Sequence, residues 1–337
     1  MKIGVKSDAV LAPKSRRLLI WRCSEMDSNA NATELAYGVK YQKKRDWNLL
    51  TFKFIFLLPA LTFLLIFMYY PIEEAFRLSL MRATGLGDTV FIGFENYMRL
   101  FKNDEFLTGF VNVLEWAFWS VVIQIPLSFF VAFTLTTYKN RLMGPLRAVY
   151  YLANVLPSAI TAMLGRFVFA PRYGVLATLS EKFNWEWLGR IDFLGDTNIV
   201  FWSIFTVATW AYTGFGIVYL MANIEQIPME LREAAELDGA NKWQYARYIA
   251  LPMVSYPIRI LAIISTVGSL KLFDLPWLLT SGGPGFTTTT LVIALYKQGF
   301  VNWQYGRASA IGVIIFLLAL IFAVAQFSMQ GKESGAK

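Results

Sequence analysis

An all-α, polytopic membrane helix bundle of six spans is what this sequence predicts, and three observations predict it. Hydrophobic residues make up 56% of the 337 positions and charged residues only 16%, against roughly 25% charged in an ordinary soluble domain. The apolar residues come in blocks of about 18 or more, the length that crosses a bilayer as a helix. Lysine and arginine crowd the flanks of these blocks, as they do on the cytoplasmic side of membrane spans.

Residues 1–48 stand apart. They are polar, basic and aperiodic, with KSRR at 14–17 and KKR at 43–45. Leu18-Leu19-Ile20-Trp21 is too short for the apolar core of a signal peptide and runs into Arg22. The segment is expected to be a cytoplasmic tail, and Met26 offers a later start.

The spans come in order. The first covers Phe52–Tyr70 and is expected to stop at Pro71. The second covers Val111–Thr136, the third Leu146–Phe169 and the fourth Val200–Ala222. The fifth covers Met253–Leu279 and the sixth Ala308–Phe327. Each holds roughly 19–27 residues, enough for a hydrocarbon core about 30 Å thick at 1.5 Å per residue. The permease region thus runs over 49–330, with 331–337 as a C-terminal tail. Pro59, Pro126, Pro157 and Pro276 fall inside spans, where each removes a helix hydrogen bond and is expected to leave a packing kink.

Orientation rests on the flanking cations. Lys40, Lys43, Lys44, Arg45 and Lys53 crowd the first span, and Lys139, Arg141 and Arg147 the second connection. Both therefore face the cytoplasm, and alternation puts segment 223–252 and the C-terminus inside.

Composition also removes function classes. The chain has no histidine, which excludes His-dependent triads and the commonest metal ligand. Its single cysteine, Cys23, cannot make an intrachain disulfide or a Cys-based metal site. The charge of +8 reads as basic flanks of spans and not as a nucleic-acid surface. No GxxxxGK[ST] phosphate loop occurs; Gly282-Gly283-Pro284-Gly285 reads as a tight outer turn. No cofactor is expected, and no catalytic cluster is visible.

Residues 227–252, IPMELREAAELDGANKWQYARYIALP, are far more charged than their surroundings. They read as two short helices. Pro228 suits a first helical position. Met229 to Leu237 are good helix formers. Asp238-Gly239 is a stop, with glycine free to take positive φ. Asn241 can cap a second helix, Lys242 to Ala250, before Pro252 opens the fifth span. A solvated loop would account for the composition alone. The spacing is more specific. Glu233-Ala234-Ala235, then Gly239 after Asp238, then Ile249 and Leu251-Pro252, resembles the EAA motif of ABC-type importer permeases.

The stretches 57–80, 91–106, 156–179 and 271–300 resemble the carbohydrate-importing branch of the same family, over roughly residues 50–330. The resemblance implies that 223–252 is a coupling loop docking on a cytoplasmic ATP-binding subunit. It further implies a second permease subunit, an extracytoplasmic solute-binding protein and a sugar or polyol substrate, with ATP hydrolysis on the separate subunit. It places ligand-facing positions at Tyr212, Phe215, Ser265, Ser269 and Leu272. Ser269 and Leu272 stand where a maltose-importing member has asparagines. An ion-gradient-driven secondary transporter is the rival reading. That class shows repeated halves and midplane carboxylates, and the EAA-like loop has no purpose in it.

Lys271 and Asp274, three apart, are expected on one helical face of the fifth span, as a functional pair in a wet cavity or as a packing ion pair. Tyr212, Phe215 and Tyr219, with Trp210 nearby, could stack on a sugar, although most of so many aromatics must face lipid or core. Arg166 is expected to snorkel to the outer interface.

Overall fold

The computed structural model describes residues 47–85, 87–137 and 143–334. Nearly all of the expected N-terminal tail, and 335–337, lie outside the described residues. The chain divides into two compact units, Met1–Met68 and Tyr69–Lys337.

In the first unit, α1 (Trp47–Leu64) contains Pro59 and leads into a π-helical turn, Leu65–Tyr69. Every side chain from Thr51 to Met68 is exposed, which suits an apolar solvent.

The second unit begins with α2 (Tyr70–Ser79). The expected stop at Pro71 is therefore overturned. Proline follows the π-turn Leu65–Tyr69, which accommodates its ring, and the helix runs on to Ser79. A two-stranded antiparallel hairpin, β1 (Met81–Arg82) with β2 (Val90–Phe91), precedes α3 (Glu95–Leu100). The second span is α4 (Asp104–Trp119), a π-turn Ser120–Gln124 and α5 (Ile125–Thr137). Asn103 caps α4 by accepting from the Phe106 N–H.

The third span is not one helix. α6 (Met143–Val155) and α7 (Ser158–Phe169) meet at 103°. Pro157 lacks an N–H and pushes Leu156 out of the helical region, so it breaks the span where a mild kink was expected. α8 (Val175–Phe183) and α9 (Glu186–Gly189) lead to α10 (Val200–Ile224), an uninterrupted α-helix of 25 residues.

Next come α11 (Met229–Leu237), α12 (Lys242–Tyr245), a π-turn Ala246–Ala250 and α13 (Leu251–Met253). The fifth span is likewise broken. The chain bends by 70° at Val254, so Pro252 closes the preceding arm and does not open the span. α14 (Ser255–Leu270) then ends, and α15 (Asp274–Thr280) starts after a non-helical step at 271–273. Lys271 and Asp274 therefore do not share a helical face: one ends α14 and the other begins α15. Pro276 sits in the first turn of α15 and kinks nothing. α16 (Leu291–Tyr296), a π-turn Lys297–Val301 and α17 (Tyr305–Ser334) complete the chain.

Among the described residues, four helical stretches are long and apolar enough to cross a membrane, and six result when each bent pair counts as one span. Three of the four π-turns among the described residues, Leu65–Tyr69, Ser120–Gln124 and Ala246–Ala250, end two residues before a proline: Pro71, Pro126 and Pro252. A proline ring collides with the carbonyl four residues back, here Phe67, Val122 and Tyr248. Each of those carbonyls lies in the widened turn, which relieves the collision without breaking the helix.

α10 is the organising helix, packing on α5 and α6 along its length. Its first half joins Trp116, Phe169 and Leu275 in one core, and its second half joins Ile125, Ala132, Ala246 and Val254 in another. A third core packs α4 and α16 on α17 through Phe106, Val113, Leu291 and Ile311. Lys297 pairs with Glu105 at 2.7 Å, both mostly buried, tying the last π-turn to the start of α4. Arg166 donates to the Leu279 carbonyl at 3.2 and 3.3 Å, a bond between α7 and α15 that replaces the expected snorkelling.

Candidate functional site

A cavity of about 510 Å³ lies among α10, α14 and the second span. Tyr212, Phe215, Ser265, Ser269, Leu272 and Asp274 all line it. The reason is geometric. Tyr212 and Phe215 are three apart on α10, and Ser265 and Ser269 are four apart on α14, so each pair shares one helical face. Leu272 and Asp274 reach the same space because the chain leaves the helix at 271–273. Trp210 and Tyr219 do not line the cavity, although Tyr219 stacks on Phe215 at 6.1 Å.

The lining is mixed. The Tyr212 and Phe215 rings are both about 41% exposed. The Ser269 hydroxyl donates to the Ser265 carbonyl at 2.9 Å and lies 3.4 Å from the Ser120 hydroxyl across the cavity. Lys271 and Asp274 are both exposed and do not pair with each other among the described residues. The freed carbonyl of Leu272 accepts from the Thr290 hydroxyl at 2.7 Å. A smaller cavity of about 190 Å³ shares Asn154, Tyr212 and Asp274 with the larger one and reaches the α6–α7 break. Both broken spans thus border this space, as discontinuous helices do where polar backbone is tolerated at membrane depth.

Sequence reasoning missed Ser120, Gln124, Ser128 and Asn154 on this lining. The signal was present: three polar residues four apart inside the apolar second span.

At the far end of α14 stands the hairpin of α11 and α12, folded as its residues require. The Ala240 N–H donates to the Ala235 carbonyl at 2.9 Å and the Gly239 N–H to the Glu236 carbonyl at 3.2 Å. Gly239 takes φ +78°, and together these make a Schellman ending. Asn241 and Gln244 form a reciprocal capping box at 2.7 and 2.9 Å. α11 begins at Met229, with Pro228 just before it in extended conformation. Ala235, Ala246 and Ala250 are buried, and Tyr245 meets the Phe133 ring at 6.0 Å, so the hairpin is seated on α5 and α10. Glu233, Ala234, Asp238, Leu251 and Pro252 remain exposed. So do Leu237 at 89% and Trp243 at 63%.

Bent apolar helices round a cavity of mixed lining, joined by a rod to an exposed charged hairpin, define a membrane permease. Residues 124–330 match the family described as binding-protein-dependent transport system inner membrane component, and the chain belongs to that family. It is 33% identical over 284 residues to the Probable ABC transporter permease protein YurN of Bacillus subtilis (strain 168), covering 83% of this chain and 97% of that one. It is 30% identical over 277 residues to the trehalose/maltose transport system permease protein MalF of Thermococcus litoralis, covering 80% and 90%. Among solved structures it is similar to a bacterial ABC transporter involved in the import of the acidic polysaccharide alginate. There the TM-score is 0.74 at 25% identity, over 86% of this chain and 96% of that chain. As a permease of this family the chain is an inner-membrane translocation subunit. It works with a solute-binding protein, a second permease and an ATP-hydrolysing subunit that is a separate chain. The ion-gradient alternative is thereby set aside.

Proposed function

We propose that this subunit helps import a saccharide or related polyol, which passes through the 510 Å³ cavity. The observation that carries the reading is the lining itself. Two partly exposed aromatic faces, Tyr212 and Phe215, stand among serines, two carboxamides, one ammonium and one carboxylate. Aromatic faces take the apolar faces of sugar rings, and the polar groups take their hydroxyls. The volume lies within the roughly 300–1,000 Å³ of small-ligand sites. The trehalose/maltose and alginate systems named above support the same class.

In this reading Tyr212, Phe215, Ser265, Ser269, Leu272 and Asp274 line the pathway. Segment 223–252 is the coupling loop. Glu233, Ala234, Ala235, Asp238 and Gly239 shape the part that meets the ATP-binding subunit, and Leu251-Pro252 joins it to α14. That helix, about 24 Å long at 1.5 Å per residue, carries motion from the hairpin to the cavity. Residues 1–48 and 331–337 are cytoplasmic tails, and both termini lie inside.

Two experiments test this. Right-side-out proteoliposomes holding the whole importer, with the solute-binding protein outside, should accumulate labelled maltose, trehalose or an alginate oligosaccharide only when ATP is sealed inside. Accumulation of none of them, or accumulation driven by a proton gradient without ATP, overturns the substrate or energy assignment. Reporter fusions should read cytoplasm after Gln226 and outside after Asp192; the reverse pattern overturns the orientation.

A further inference from the structure

The cavity wall facing α14 comes from the second span, and its side chains keep a four-residue step: Trp116, Ser120, Gln124 and Ser128 all line the cavity. A regular α-helix overshoots a full turn by about 40° at each step of four. Three steps would swing the series through about 120° and off the cavity. The π-turn Ser120–Gln124 fits more residues into one turn and takes up that drift. Pro126, two residues on, sets its position.

Most of the stripe is already engaged. Trp116 packs on Phe201 and Phe205 at ring separations of 5.4 and 5.2 Å. The Ser120 hydroxyl lies 3.4 Å from the Ser269 hydroxyl, which can accept from it. Ser128 donates to the Gln124 carbonyl at 2.7 Å and packs where Gly216 leaves room. Gln124 differs. Its side chain is buried, 7% exposed, and donates one N–H to the Thr209 hydroxyl at 3.2 Å. Its carboxamide oxygen and second N–H have no partner among the described residues. That oxygen is not sealed off, unlike those of Gln298 and Gln326.

We propose that Gln124 contacts the transported ligand and helps set its specificity, using its free oxygen and N–H to read two adjacent hydroxyl groups. An acceptor and a donor side by side on one plane match the spacing of neighbouring hydroxyls on a sugar ring. This rests on the saccharide reading of the cavity.

The test uses the complete importer in proteoliposomes, in a Cys23→Ser background, with single Gln124→Cys, Tyr212→Cys or Val122→Cys substitutions. The probe is a methanethiosulfonate ethylammonium reagent, added with or without a millimolar mixture of maltose, trehalose and alginate oligosaccharide. Modification at 124 and 212 is expected, with at least threefold slowing by the saccharides at both and none at 122. Protection at 212 without protection at 124 overturns the proposal and leaves the saccharide reading standing. Protection at neither overturns both. No modification at 124 overturns the alignment of the stripe. In uptake, Gln124→Leu should raise KM about tenfold with kcat within about twofold. It should also narrow the discrimination between a sugar and its deoxy analogue. Equal discrimination by Gln124→Leu and the parent overturns the specificity role even if uptake falls.

Discussion

The hydroxyl of Thr290 donates to the backbone carbonyl of Leu272 at 2.7 Å, joining residues 18 apart in sequence. Leu272 lies in the step between α14 and α15, where no helical N–H is available to its carbonyl. The same Thr290 oxygen accepts from the Ile293 N–H at 3.3 Å and so caps α16. Asn112 donates to the carbonyls of Thr287 and Thr289, both at 2.8 Å, and fixes the segment from the other side. The step that delivers Leu272 and Asp274 to the cavity is therefore held by the threonine run 287–290.

Thr290→Val keeps the shape and removes both bonds. An orphaned buried carbonyl costs about 1–3 kcal/mol and a lost cap about 1 kcal/mol. The midpoint of thermal unfolding in detergent should fall by several degrees, with uptake reduced, whereas Thr290→Ser should keep both. A valine variant as stable and active as the parent would show that the step holds itself.

Tyr212→Ala removes an aromatic face from the cavity and should lower uptake at least tenfold at equal membrane abundance. Tyr212→Phe keeps the face and should retain most of the activity. Equal losses in the two variants would move the role from the ring to the hydroxyl.

For the coupling hairpin, no atom lies within 4 Å of where a Gly239 Cβ would sit, so a side chain there meets no clash. The cost is conformational: φ +78° penalises an L-residue by about 1–2 kcal/mol. Gly239→Val, β-branched, should misplace α12 against α11 and cut saccharide uptake. Glu233→Lys reverses an exposed charge and should weaken co-purification of the ATP-binding subunit. Both variants should insert normally. Parental uptake and full subunit binding in both would remove the coupling role from 228–250.

Pro126→Ala restores the N–H that Val122 lacks as a donor and removes the ring collision. An ordinary α-turn then becomes available across 120–124, and the stripe loses its alignment. Single-cysteine labelling at 124 should slow relative to 120 in this background, with uptake reduced. Unchanged labelling at both positions would show that packing, not proline, holds the π-turn.

The bundle was legible because its signals are local. Apolar blocks such as Val200–Ala222 must be helical in lipid, since every backbone group there needs an internal partner. The hairpin was legible for the same reason: Gly239, Asn241 and Gln244 act on neighbours within a few residues. Span continuity was less legible. Pro126 and Pro157 are both prolines in apolar runs, yet one produces a widened turn and the other a bend of 103°. The helices packed against each proline separate the two outcomes, and they come from distant parts of the chain.

The sequence by itself determined the membrane-spanning helical class, the hairpin with its caps, and the family, because periodicity, capping and composition depend on short stretches of chain. Only the tertiary structure decided which polar side chains share the cavity. Gln124 meets Thr209, Ser120 meets Ser269 and Leu272 meets Thr290 through helices distant in sequence. The rotation of each helix about its axis, set by the π-turn Ser120–Gln124, the break at Pro157 and the step at 271–273, is what aims them. That rotation is the balance of side-chain packing against the missing N–H of a proline, and neither term can be weighed until the neighbouring helices are in place.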